Sequence, residues 1–152
     1  MSPGCGGERV TTILADFRLG VIVSDSSISD DDRVWTGKKV FRHKSALFAF
    51  AGQISEHVAF MLWLKQGQKG RPPLFSHSRA LMMNSNGLFM YDDSHILLPI
   101  RSGIDAIGTG DKAVMCAYEA LGFTDPVRAV KIVCKHDAKS RTPIKTYKLK
   151  GA

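Results

Sequence analysis

The segment "GERVTTILAD" places two adjacent threonines, Thr11 and Thr12, directly ahead of an apolar run. Thr11 reads in two ways. It is a β-branched residue opening a strand, where threonine is common, or a hydroxyl nucleophile covered by a ten-residue leader. Other reactive groups narrow the field. His43, His57, His77, His95 and His136 show neither HExxH nor another paired spacing, and there is no GxSxG elbow, so the usual serine hydrolase has no support. Cys5, Cys116 and Cys134 form no CxxC pair and leave an odd count, which argues against a disulfide framework or a zinc ribbon. The acidic run "DSSISDDD" lacks the mid-loop glycine and closing glutamate of a calcium loop and reads as a solvated turn. "GTGDKA" (Gly108 to Ala113) matches GxGxxA between a strand and a helix. The dinucleotide fingerprint belongs to the first βα turn of a larger unit, however, and the spacing fails as a P-loop.

The elements that must hold these residues follow from periodicity. Val10 to Asp16 and Gly20 to Ser24 read as strands, and "RVWTGKKVFR" as two short strands around Gly37. "SALFAFAG" is short and apolar throughout, as expected of a strand covered on both faces. Ile54, Val58, Met61 and Leu62 then predict a helix of about three turns with those residues inward. "KQGQKGRPPLFS" is a loop rich in Gly and Pro, and "RALMMNSNGLFMYDD" a hairpin with its turn at Asn86-Gly87. "HILLPI" and "GIDAIG" continue the strands. Val114, Ala117, Tyr118 and Leu121 define a second helix. "DPVRAVKIVCKH" is a third, with Asp125 as N-cap and Pro126 at the first helical position. "PIKTYKL" closes as a strand. Strands and helices do not alternate, which disfavours a parallel Rossmann sheet and favours antiparallel sheets beneath helices.

The chain has 152 residues, 44% of them hydrophobic and 23% charged, in keeping with one soluble globular domain. No apolar run approaches the roughly 20 residues needed to cross a bilayer, and "MSPGCGGERV" lacks the apolar core of a secretory signal, which predicts a cytoplasmic protein. Cys116 and Cys134 fall in apolar helical patterns and are expected to be buried free thiols. The net charge of +7 includes eight basic residues between Arg128 and Lys150. Some lie at helical spacing opposite Val127, Val130 and Val133, as on a solvated helix face. No nucleic-acid motif or aromatic platform accompanies them, so a nucleic-acid partner is disfavoured.

Taken in order, TT-I, "VSDS", "GKKVFR", "FAFAGQ", "AIGTGDKA" and the late aspartate of "KHDAKS" resemble the proteasome β-subunit and HslV-type peptidases, which are N-terminal threonine hydrolases. The resemblance runs from Thr11 to Leu149. It looks closest to the short bacterial or phage-encoded proteasome-like branch, whose chains begin Met-Thr-Thr. It implies an α+β, four-layer αββα sandwich of two antiparallel sheets, the N-terminal nucleophile hydrolase fold. The residues between Trp63 and Ser78 leave room for one helix where the family has a pair, so the first helix layer is shortened.

The resemblance also implies roles. Thr11 matches the nucleophile, whose own α-amine, with an ordinary pKa of about 7.7–8.0, serves as base. Lys39 matches the active-site lysine whose charge lowers that amine's pKa. Asp25 matches the carboxylate holding the lysine, and Gly52 the residue whose backbone N–H meets the oxyanion. Thr109 stands where the family usually has serine, and Asp137 matches the supporting carboxylate. Phe50 and Ile54 flank Gly52 and are candidates to line an apolar substrate pocket. Taken singly, these residues also have plain readings: a surface turn and cation for Asp25 and Lys39, a strand-to-helix breaker for Gly52, a helix cap for Thr109.

The activity implied is endopeptidase cleavage of protein or peptide substrates within a homo-oligomeric ring, with no metal or organic cofactor. Some relatives use an ATPase unfoldase; no docking motif for one stands in this sequence. All of this needs Thr11 exposed, because an amide nitrogen has no useful basicity. Self-processing relatives usually carry glycine before the threonine, and this chain has Val10. Valine's GTG codon is also a bacterial start, so residues 1–10 read as a leader or as a misassigned extension, with residues 11–152 the single domain. Three rival readings stand beside this one: a catalytically silent assembly protein, an N-terminal hydrolase of small amides, and a basic nucleic-acid-binding module.

Overall fold

Strand β1, Ile13–Asp16, sends its side chains alternately to two covered sides. Ile13 and Ala15 join a core that also holds Leu47, Ala49 and Ala51, whereas Leu14 joins one with Val114, Tyr118 and Val130. That alternation sets the architecture. The computed structural model describes residues 11–25, 39–93, 97–136 and 144–149.

Beyond β1, the described elements are β2 Val21–Ser24, β3 Val40–His43, β4 Ala46–Ala51, α1 Ile54–Lys65, β5 Arg79–Asn84, β6 Gly87–Tyr91, β7 Leu97–Pro99, β8 Ile104–Ile107, α2 Asp111–Ala120, α3 Pro126–His136 and β9 Lys145–Lys148. They build a four-stranded sheet in the order β8-β1-β2-β9 and a five-stranded sheet in the order β3-β4-β5-β6-β7. Every recorded pairing is antiparallel. The inner faces of the sheets share the first core, α2 and α3 cover the outer face of the four-stranded sheet, and α1 covers that of the five-stranded sheet. The result is the expected αββα sandwich, with one helix in the first layer. "ALFAFA" has no polar face because β4 has none to offer: Leu47, Ala49 and Ala51 face the other sheet, and Phe48 and Phe50 face α1.

Helix α3 starts where the sequence predicts, with the Arg128 N–H donating to Asp125 Oδ1 at 3.0 Å. Its Ala129, Val130 and Val133 are buried while Arg128, Lys131 and Lys135 are exposed, so this part of the basic run is a solvated face. Among the described residues no helix is long and apolar enough to cross a membrane.

Three expectations need adjustment. Helix α1 buries Phe60 and Leu64, whereas Ile54, Val58 and Met61 are only partly covered and Leu62 is 51% exposed. Residues 58–64 are all apolar, so spacing could not choose the face; the aromatic cluster of Phe48, Phe50 and Phe75 does. The hairpin turn sits one residue earlier than expected, because Asn84 pairs with Gly87 and leaves Ser85-Asn86 as the loop. Cys116 is exposed and Cys134 only partly buried. Of the two strands expected around Gly37, β3 is present and the first lies outside the described residues.

Candidate active site

Thr11 and Thr12 enter β1 at the centre of the four-stranded sheet, and both are buried, at 7% and 0% exposure. Two neighbours hold them. On one side the turn from β8 into α2 comes into backbone contact: the Gly110 N–H donates to the Thr11 carbonyl at 3.1 Å, and the Thr11 N–H donates to Thr109 Oγ1 at 3.2 Å. This explains the glycines of "GTGDKA". A Cβ on Gly108, whose φ is +99°, would overlap the Thr11 carbonyl oxygen, and one on Gly110 would overlap Thr12 Oγ1. The motif serves close approach to the threonine pair. Thr109 is not the cap of α2; Gly110 occupies that position, without a side-chain cap bond.

On the other side stands Asp25, at the end of β2. Its N–H donates to the Thr12 carbonyl at 3.1 Å, and its Oδ1 accepts the Thr12 N–H at 3.1 Å. The same oxygen accepts from Lys39 Nζ at 2.6 Å. Lys39 leads into β3, its carbonyl accepting the Phe50 N–H at 2.9 Å. Its side chain is 10% exposed and that of Asp25 is fully buried, so the pair is not the surface turn and surface cation of the plain reading. One carboxylate oxygen therefore links a buried ammonium to the backbone between the threonines. A cation so placed favours negative charge on nearby oxygens and disfavours a second positive charge.

Gly52 closes β4 with φ +129°. A Cβ there would collide with Ser78 Oγ and with the His77 carbonyl oxygen, so only glycine fits, and the residue stays exposed. Ile54 is partly covered at the start of α1. Phe50 is wholly buried, packed against Phe41, His57 and Phe60 with ring centroids 5.8, 4.7 and 5.6 Å away, and presents no surface of its own to a ligand. Asp137 lies outside the described residues. The structure thus brings Thr109 to the Thr11 N–H and the Asp25–Lys39 pair to the adjoining Thr12 N–H, on either side of one dipeptide. It sets Gly52 in a separate, sterically enforced turn.

Sequence reasoning missed three participants. Behind Gly52, Glu56 accepts from the Ser76 N–H and hydroxyl and Ser78 Oγ accepts the Gln53 N–H, a clasp that nothing in their spacing announces. Among the described residues no group of three or more His, Cys, Asp or Glu side chains is placed to hold a metal ion.

The architecture matches solved structures at low sequence identity. Eukaryotic HslV from Trypanosoma brucei is similar with a TM-score of 0.67 at 17% identity, over 90% of this chain and 98% of that one. BPH from Thiobacillus denitrificans in complex with epoxomicin gives 0.64 at 16% identity, over 91% and 99%. Another structure of the same BPH gives 0.64 at 14%, over 95% and 100%. No family model and no curated protein matches the sequence. The two antiparallel sheets with their helices form the same α+β sandwich fold as HslV and BPH.

Proposed function

We propose that the chain is a threonine endopeptidase of the proteasome and HslV type, with Thr11 as nucleophile once residues 1–10 are absent. The observation that carries this reading is the single Asp25 oxygen shared by Lys39 Nζ and the Thr12 N–H. It holds the Lys39 cation against the backbone N–H of Thr12, the residue next to the proposed nucleophile, which supports this reading. In the reaction, Thr11 Oγ1 adds to the scissile carbonyl as its proton passes to the Thr11 α-amine, directly or through one water. The Lys39 charge keeps that amine proton-poor beforehand, and the Thr109 hydroxyl, already hydrogen-bonded to the Thr11 nitrogen, orients it. The oxyanion meets the Gly52 N–H, a donor worth on the order of 3 kcal/mol to the transition state. Collapse expels the leaving amine with the proton. Water then hydrolyses the threonyl ester, and Asp137 is the remaining candidate for support. Ile54 is retained as the apolar contact for substrate. Protein or peptide substrates, a homo-oligomeric ring and a cytoplasmic setting complete the proposal.

The test is intact-mass spectrometry of purified protein after incubation with an epoxyketone such as epoxomicin, the ligand named with the similar BPH structure. The expected product is a chain beginning at Thr11 that carries one inhibitor. Peptide turnover by material that still begins at Met1 would refute the proposal. A fully assembled, unreactive protein retaining residues 1–10 would favour the silent assembly protein instead.

A further inference from the structure

Gly52 lies flat on the backbone of His77 and Ser78, a segment twenty-five residues away in the chain with no secondary structure of its own. One side chain organises that segment. Glu56, in the first turn of α1, accepts the Ser76 N–H and the Ser76 hydroxyl at Oε2, both at 2.8 Å, and the His77 N–H at Oε1 at 3.3 Å. The nearby Ser78 hydroxyl favours the ionised carboxylate as well. Ser78 Oγ in turn accepts the Gln53 N–H at 2.9 Å. The path runs from Glu56 to the backbone of Ser76 and His77, along the chain to Ser78, and from Ser78 Oγ to the Gln53 N–H. A carboxylate in the first turn also suits the helix dipole. Burial alone would push the Glu56 carboxyl up, but the Ser78 hydroxyl nearby and the hydrogen bonds from Ser76 and His77 outweigh it and pull it down to about 2. The clasp is therefore ionised throughout the range in which a peptidase would work.

We propose that Glu56 and Ser78 are positioning residues that fix the chain immediately after Gly52, at the Gln53 N–H, and so hold the Gly52 N–H of the preceding peptide in the orientation an oxyanion requires. This rests on the reading of Gly52 as the oxyanion donor in a Thr11-dependent reaction. Neither residue touches substrate; both act through the backbone they fix. A structural brace of this kind is needed here because the loop from α1 to β5 is anchored in the core at Phe75 whereas the next residues reach Gly52 through polar contacts, and Gly52, with no side chain, cannot anchor itself.

The experiment compares Glu56→Gln, Ser78→Ala and Thr11→Ala on a fluorogenic peptide, together with inhibition by a peptide boronate that forms a tetrahedral adduct. Urea unfolding confirms that each variant is folded. The expected result is a fall in kcat of roughly tenfold or more in Glu56→Gln and Ser78→Ala, with KM within about twofold. Boronate affinity should fall in parallel with kcat/KM, as a lost oxyanion contact demands and a loosened substrate cleft does not. Amide hydrogen exchange at Gly52, Gln53, Ser76 and His77 should rise in Glu56→Gln. Unchanged kcat and boronate affinity in both variants, with activity abolished in Thr11→Ala, would overturn the positioning role. Activity that survives Thr11→Ala would instead overturn the nucleophile assignment, and the two failures are separable.

Discussion

Lys39 Nζ stands 2.6 Å from Asp25 Oδ1, and the contact ties the five-stranded sheet to the four-stranded sheet beside Thr12. Asp25 follows β2 and Lys39 precedes β3, so neither strand could shift without parting the charges. Taking two ions from water is costly, and removing one partner strands the other.

Lys39→Met is therefore expected to destabilise the fold by about 3 kcal/mol, the range found when a buried pair is broken from one side. Asp25→Asn combined with Lys39→Met should recover part of that loss, since no charge is left uncompensated. Urea denaturation of the two single variants and the double variant measures this. A double variant whose loss equals the sum of the singles would mean that the ions do not support each other.

Two glycines, one just after α1 and one just ahead of α2, offer a contrast in cause. Gly67 has φ +81° with nothing near a would-be Cβ, whereas Gly108 has φ +99° and the Thr11 carbonyl in the way. Gly67→Ala should cost only the backbone strain, about 1–2 kcal/mol. Gly108→Ala should cost clearly more and displace Thr11 from Thr109. Equal losses in thermal unfolding would show that the approach of this turn to Thr11 is slack.

How much of this could be read from the residues depends on how local the cause is. Strand order and type were legible because apolar alternation and the turn residues act within a few positions, and α3 began at Asp125 because its cap is local. The inward face of α1 was not legible: a helix apolar at every position from 58 to 64 takes its orientation from Phe48, Phe50 and Phe75, distant in the chain. The cluster of Thr11, Asp25, Lys39 and Thr109 came from the order of family-like pieces, not from spacing. Phe50 flanks Gly52 in sequence, yet the pleat turns it into the α1 layer. The clasp of Glu56 spans twenty residues through a loop, where no periodicity operates. Asp16 was hidden inside an apolar strand pattern; only Arg18 two residues on hinted at its pairing.

Asp16 gives a pH prediction. It is wholly buried and accepts from Arg18 Nη2 at 2.6 Å and from the Tyr118 hydroxyl. Burial pushes its carboxyl up, but the hydrogen bonds from Arg18 and Tyr118 and the Arg18 charge outweigh this and hold it below the ordinary 3.8. A depressed folded-state value stabilises the fold above the unfolded value, and the contribution fades as pH falls through the folded one. Tyr118→Phe should then cost about 1.5–3 kcal/mol near neutrality, as loss of a bond to a charged group. It should also narrow the gap in stability between pH 7 and pH 3, measured by urea midpoints. An unchanged gap would show that Tyr118 does not help depress Asp16.

The strongest pH prediction concerns the amine at Thr11. Under the proposed function the free amine must be unprotonated to accept the hydroxyl proton, so the rate of epoxyketone labelling should rise with pH through the amine's pKa. The neighbouring Lys39 cation disfavours the ammonium form, placing the midpoint below the ordinary value of about 7.7–8.0. Lys39→Gln removes the charge and should move the rising limb to higher pH, while Lys39→Arg keeps the charge and should move it less. Labelling rates suit the comparison because they remain measurable in slow variants. A midpoint at the same pH in wild type and Lys39→Gln would mean that the ammonium held by Asp25 does not reach the Thr11 nitrogen electrostatically, and the base would have to be sought elsewhere.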